Sequence, residues 1–153
     1  MRRRKCRGEE FKYDFNRLEK AVTEIKQQIN QVGKKLTADQ MLQVRNNLTK
    51  NIKFAAGVLS AKNKALLKTD IGTVWLSDDT LIKQFDSRKG QKFEFEEYIK
   101  LPDILNTPEL ILPGKQKAHY EFHKIINSKK YIAVIKVLKK EIFLQSFRRN
   151  DGK

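Results

Sequence analysis

Apolar residues recur at spacings of three and four between Phe11 and Ile29, through Phe15, Leu18, Val22 and Ile25. That spacing gathers them on one stripe and predicts a long amphipathic helix. Gly33 supplies a stop, and Lys34 and Lys35 suit the negative end of the helix. Thr37 to Gln40 reads Thr-Ala-Asp-Gln, in which Thr37 can cap a helix and Gln40 can answer it. Met41, Val44, Leu48 and Ile52 follow at helical spacing and predict a second helix running toward Phe54–Ala56, which Gly57 breaks or ends. A short helical or irregular stretch then runs to Lys68.

Beyond residue 70 the texture changes. Thr73, Val74, Trp75 and Leu76 read as a short strand, and Ser77 as the cap of a helix from Asp78 to Phe85, with Asp78 and Asp79 well placed in its first turn. Asp86 to Gln91 is a loop, Phe93 to Ile99 a short helix, and Pro102 and Pro108 keep the next segment in short pieces. In the last third, Tyr120 and Phe122 alternate with His119, Glu121 and His123, the pattern of a strand. Asn127 to Lys130 forms a polar turn, the β-branched run from Tyr131 a central strand, and Lys139, Lys140 and Glu141 a tight hairpin turn. The final strand, from Glu141 to Arg149, is expected to place Ile142, Leu144, Ser146 and Arg148 on one face and Phe143, Gln145 and Phe147 on the other. The plan is α+β: N-terminal helices packed on a C-terminal antiparallel β-sheet.

The 153 residues suit one domain, organised as a basic flexible arm over 1–10, the amphipathic helix over 11–35 and the main domain over 36–150. The single Cys6 rules out a disulfide within the chain, and one Cys with two His makes a poor zinc set, so no metal or cofactor is expected. No run approaches the roughly 18 apolar residues of a membrane span, and the basic start has no apolar stretch behind it, so it is not a secretory signal. A cytoplasmic address follows as the expectation, with no membrane partner. Charge narrows the partner further. Thirty-three Lys and Arg against eighteen Asp and Glu leave +15, a field that attracts phosphate backbones. RNA is the expected partner, with DNA second.

The segments Val74–Leu81 and Ile142–Arg149 carry a resemblance. The chain resembles the phage-associated branch of the barnase, EndoU, colicin E5/D and RelE superfamily of metal-independent ribonucleases, over roughly Leu36 to Arg149. The matching features are the strand and helix start Val74–Leu81, Lys83 in the following helix, the segment Leu101–Leu105, and Ser146 to Arg148 in the last strand. The resemblance implies a barnase/RelE-like nuclease fold, an endoribonuclease or toxin role in a phage or mobile element, a bacterial host cell, and Lys83, Ser146 and Arg148 as active-site residues. The chain departs from the family pattern after Lys83. Where a histidine usually follows, it has Ser87 and Arg88.

Cleavage of RNA without a metal uses the neighbouring 2′-OH as nucleophile and leaves a 2′,3′-cyclic phosphate. It needs a base, an acid for the leaving 5′-oxygen, and cations at the phosphate oxygens. Arg148 suits the last task, since a guanidinium grips phosphate through two parallel bonds. Lys83 can neutralise transition-state charge, and Ser146 can position phosphate. His119 and His123, four apart in a strand with Glu121 between, share a face and are the natural candidates to replace the absent family histidine. Ser77, Arg88, Lys139, Lys140 and Arg149 are candidates for holding the phosphate backbone. Each has an ordinary alternative: a solvated lysine or arginine, a strand serine, a polar sheet face, a helix cap at Ser77. Trp75 reads as core, although a tryptophan near a basic groove can stack on a base.

Three readings therefore stand: a metal-independent endoribonuclease, a nuclease-fold protein that binds RNA or DNA without turnover, and a phage structural or regulatory protein that docks or self-associates through residues 11–29. An enzyme this basic is also an electrostatic target for an acidic inhibitor protein.

Overall fold

The computed structural model describes residues 2–32, 36–47, 53–87 and 95–150. Gly33, Lys34, Lys35, Leu48, Ile52, Arg88, Gly90, Gln91 and Phe93 lie outside the described residues. The elements are α1 (Arg2–Val32), α2 (Ala38–Asn47), β1 (Lys53–Val58), α3 (Ala61–Leu66), β2 (Thr73–Ser77), α4 (Asp78–Ser87), α5 (Phe95–Tyr98), α6 (Leu101–Asn106), β3 (Leu110–Pro113), β4 (His119–Ile126), β5 (Lys129–Val137) and β6 (Ile142–Asn150). They form an α+β protein with one six-stranded, mostly antiparallel sheet in the order β1-β2-β6-β5-β4-β3. Two compact units divide the chain: residues 1–55 with 77–97, and residues 56–76 with 98–153.

In the first unit, Leu18, Val22, Ile25 and Ile29 are buried, and both α1 and α2 pack on α4, which contributes buried Leu81, Ile82 and Phe85. Two expectations bear on this unit. Of the apolar stripe through which docking or self-association was expected, Leu18, Val22, Ile25 and Ile29 are buried within the chain, and Phe15 is partly exposed. The basic segment expected as an arm is helical from Arg2, because Arg, Lys and Glu are good helix formers and no proline interrupts them. The capping box is reciprocal. The Thr37 N–H donates to Gln40 Oε1 at 2.9 Å, and the Gln40 N–H donates to Thr37 Oγ1 at 3.2 Å. The Leu36 N–H donates to Asp86 Oδ1 at 3.1 Å, tying the entry of α2 to the end of α4.

Phe54–Ala56 belong to β1, not to an extension of α2. A short, continuous apolar run fits a buried strand as well as a buried helix, so periodicity alone could not decide. Gly57 is a strand residue where α6 comes close: a Cβ there would lie 2.8 Å from Leu105 Cδ1 and 3.2 Å from the Pro102 Cα. Asn63 Nδ2 donates to the Asn106 carbonyl, and Asn106 Nδ2 donates to the Val58 carbonyl, each at 3.4 Å, linking α3, α6 and β1.

The second unit builds its core on one face of the sheet, from Phe122, Ala133, Ile135, Ile142, Leu144 and Phe147. Tyr98 meets Phe147 edge-on at 5.4 Å, Tyr131 stacks on Phe147 at 5.8 Å, and α6 packs on β4 and β5. β4 and β5 are joined by Asn127 and Ser128, both at positive φ (54° and 67°). That is the conformation a two-residue hairpin turn demands. Two features were not anticipated. β3 is a short edge strand ending in Pro113, placed where the prolines argued for broken segments. β2 runs parallel to β6, with Val74 opposite Ile142 and Trp75 opposite Phe143.

The face assignment of β6 also needs correcting. Ile135 pairs with Leu144 but Val134 pairs with Ser146, so Gln145 is an extra residue opposite no partner. Such a bulge shifts the alternation by one. Ile142 and Leu144 therefore share the core face with Phe147, while Phe143, Ser146 and Arg148 point to the other side. Strict period-two alternation from Ile142 to Arg148 could not foresee the added residue.

Candidate nucleic-acid site on the open sheet face

The shift in β6 determines which side chains meet. Residues paired across neighbouring strands share a face, so the register defines rows on the side of the sheet opposite the core. One row runs His119–Lys136–Phe143–Trp75, across β4, β5, β6 and β2. The next is Leu112–Glu121–Val134–Ser146, and a third is Leu110–His123–Ile132–Arg148. Four of the residues expected to act on RNA, His119, His123, Ser146 and Arg148, thus stand on the face opposite the core of a single unit, where His123 and Ile132 are buried and the other three are at least partly exposed. Without the bulge, Ser146 and Arg148 would point into the core.

His119 sits at the first position of β4, beside a tight loop. Gly114 accepts close packing there: a Cβ on it would lie 2.8 Å from His119 Cβ and 3.1 Å from the His119 carbonyl carbon. The Gly114 N–H donates to the His119 carbonyl at 2.7 Å. The ring is fixed at both nitrogens. Nδ1 lies 3.0 Å from the Lys117 carbonyl, which can only accept, so Nδ1 carries a proton. The amide of Gln145, the bulge residue, points its Nε2 at His119 Nε2 from 3.5 Å, the long limit of a hydrogen bond. In a neutral ring the Lys117 contact places the proton on Nδ1 and so the lone pair on Nε2, the atom that faces Gln145.

His123 is held differently. Its Nε2 donates to Glu121 Oε1 at 3.0 Å, and the ring is only 8% exposed. Its Nδ1 is buried and has no hydrogen-bond partner. Burial and the Glu121 carboxylate together hold this imidazole in one orientation. Among the described residues, no group of three or more His, Cys, Asp or Glu stands close enough together to hold a metal ion.

Arg148 is exposed, and Ser146, Lys136 and Glu121 are partly exposed on the same face. Lys136 and Gln145 were missed in the sequence. Lys136 had a signal: it is the one charged residue between Tyr131 and Leu138 in an otherwise apolar strand. Gln145 had none, because nothing in the local pattern marks a bulge.

The remaining candidates are not members of these rows. Lys83 is an exposed residue of α4, in the first unit. Ser77 caps α4: its Oγ accepts the Thr80 N–H at 3.2 Å and donates to Thr80 Oγ1 at 3.1 Å. Its hydroxyl thus already has a structural task. Lys139 and Lys140 are exposed at the tip of the β5–β6 connection, which the Leu138 N–H closes by donating to the Glu141 carbonyl at 2.9 Å. Arg149 points to the core side, paired with Tyr131. Arg88 lies outside the described residues. Among the described residues, no helix is long and apolar enough to cross a membrane.

Two comparisons bear on this geometry. The sequence model of the family described as phage-Barnase-EndoU-ColicinE5/D-RelE like nuclease3 matches residues 53–153, the stretch that contains all six strands. No solved structure matches the chain significantly.

Proposed function

Because the chain belongs to the phage-Barnase-EndoU-ColicinE5/D-RelE like nuclease3 family, we propose that its open sheet face is the active site of a metal-independent endoribonuclease. The observation that carries this reading is the pair of contacts that leaves His119 Nε2 with a lone pair, on the face that also presents Arg148, Lys136 and Ser146.

In this reading His119 Nε2 takes the proton of a ribose 2′-OH. The 2′-oxygen attacks the adjacent phosphorus, the bond to the 5′-oxygen breaks, and a 2′,3′-cyclic phosphate and a free 5′-hydroxyl result. Lys136, directly across from His119, gives the departing 5′-oxygen its proton and adds positive charge beside the phosphate. Arg148 grips the nonbridging oxygens through two parallel bonds, and the Ser146 hydroxyl donates to one of them. Glu121 and His123 are positioning residues that stiffen the middle of the face. Lys83, an active-site residue by the resemblance, belongs to the other unit and is proposed as a cation for the RNA backbone. Lys139 and Lys140 guide the backbone, with Arg88 and Ser77 as weaker candidates for the same task. RNA is the substrate; DNA binds without being cut, since it lacks the 2′-OH. A toxin role in a phage-bearing bacterial cytoplasm, checked by an acidic inhibitor protein, fits such an enzyme.

The test is cleavage of mixed RNA in EDTA by the native chain and by His119→Ala, Arg148→Ala and Lys83→Ala. Cyclic-phosphate ends from the native chain, strongly reduced in the first two variants, support the reading. Salt-sensitive RNA binding by folded protein without any cleavage would replace it with a nucleic-acid-binding module, the reading that the Ser87–Arg88 departure favours.

A further inference from the structure

We infer that Trp75 and Phe143 form a stacking platform for an unpaired base, placed so that the enzyme acts on single-stranded rather than duplex RNA. The inference rests on the nuclease reading only for the position of the neighbouring phosphate.

The supporting observation is the row His119–Lys136–Phe143–Trp75. Trp75 and Phe143 are direct partners in the parallel β2–β6 pair, and Phe143 is the direct partner of Lys136. Both rings stand on the face opposite the core and both are partly exposed, whereas Val74, Leu76, Ile142 and Leu144 beside them are fully buried. A strand residue pointing away from a core is commonly polar. Two large aromatics side by side at such positions are therefore unusual. They stand, partly exposed, at one end of a row whose other end holds a cation and an imidazole.

The spacing suits one nucleotide and its phosphate. Adjacent strands lie about 4.8 Å apart, so roughly 10 Å separate the strand of Phe143 from that of His119. A base on the aromatic pair leaves its own phosphodiester over Lys136, next to His119 Nε2. Bases in a duplex are already stacked and paired, and their faces are not available to a flat sheet surface. Stacking accepts any base, since every base has a π-face, so the platform selects for strandedness more than for sequence.

Trp75 is the only tryptophan in the chain, so its emission reports the platform directly. The probe is an all-2′-O-methyl RNA dodecamer of mixed sequence, which cannot be cleaved by 2′-OH attack. It is compared with the same sequence annealed to its complement and with inorganic polyphosphate of equal charge, all added to the full chain. The expected result is saturable quenching of Trp75 by the single strand, with little by the duplex or polyphosphate. Phe143→Leu is expected to weaken single-strand binding roughly tenfold, and Phe143→Tyr to restore it, with polyphosphate binding unchanged in both. Circular dichroism confirms that each variant is folded. Equal quenching by polyphosphate, equal affinity for the duplex, single-strand binding without quenching, or no single-strand binding would each overturn the platform. Cleavage of RNA without quenching would do so while leaving the nuclease reading intact; quenching without cleavage would have the opposite meaning.

Discussion

The bulge residue of β6, Gln145, directs its side-chain amide at His119 Nε2 on β4, two strands away. The contact joins the irregularity that turns Ser146 and Arg148 outward to the imidazole proposed as the base. Removing the amide leaves the ring held by the Lys117 carbonyl alone, whereas removing the ring eliminates the proposed base. His119→Ala is expected to lower the cleavage rate by about 10²–10⁴-fold. Gln145→Leu is expected to lower it only severalfold, with little change in RNA affinity. Single-turnover cleavage alongside equilibrium binding separates the two effects.

Arg148 is proposed to hold phosphate through a planar fork, which an ammonium cannot imitate. Arg148→Ala is expected to reduce turnover by about 10²–10³-fold, and Arg148→Lys to recover only a small part of it. Comparable recovery by lysine would mean that Arg148 supplies charge alone.

Gly114→Ala tests the support beneath His119. The added Cβ would meet His119 Cβ at 2.8 Å and the His119 backbone at 3.1 Å, and neither can move without disturbing the β3–β4 loop. Overpacking of this kind costs about 1–3 kcal/mol. Thermal unfolding should show the loss of stability, and activity at temperatures where the variant is folded should fall through displacement of the ring.

The pH dependence of stability has a local contributor. The hydrogen bond from Lys124 Nζ, 2.9 Å away, holds the Asp103 carboxyl below its ordinary value; partial desolvation opposes this, and the Thr107 hydroxyl and the charge of Lys124 add to it. Since the folded value is depressed, the stabilisation is present above the ordinary carboxylate value near 4. It is lost as pH falls through the lower folded value. Asp103 is more than half exposed, so solvent screening limits the effect to less than about 1 kcal/mol. Asp103→Asn should lower Tm by about 1–3 °C at neutral pH, and the difference should vanish in acid, as melting curves across that range would reveal.

Much of this architecture was legible in the chain because local rules wrote it. The Thr37–Gln40 box, the Ser77 cap, the alternation from His119 to His123 and a polar turn within Asn127–Lys130 each follow from a few neighbouring residues, although the turn itself is only Asn127 and Ser128, with Lys129 and Lys130 opening β5. What escaped depends on distant partners. Phe54–Ala56 take strand geometry from a sheet that local periodicity does not announce. The parallel pairing of Trp75 with Phe143 joins residues far apart in sequence. His119, His123, Ser146 and Arg148 could be singled out from the sequence as candidates, but their sharing one face of the sheet could not, because the bulge at Gln145 sets which way the second half of β6 points.

That single added residue has a consequence for how this fold can change over time. It divides β6 at Gln145: before the break Ile142 and Leu144 face the interior, and after it Phe147 does so while Ser146 and Arg148 face the other way. Substitutions at Ser146 and Arg148 can retune the outward surface while Ile142, Leu144 and Phe147 go on holding the interior. Deleting one residue at the break would reverse the second segment, burying the arginine and exposing Phe147. The strand therefore tolerates exchange of its side chains far better than any alteration of its length.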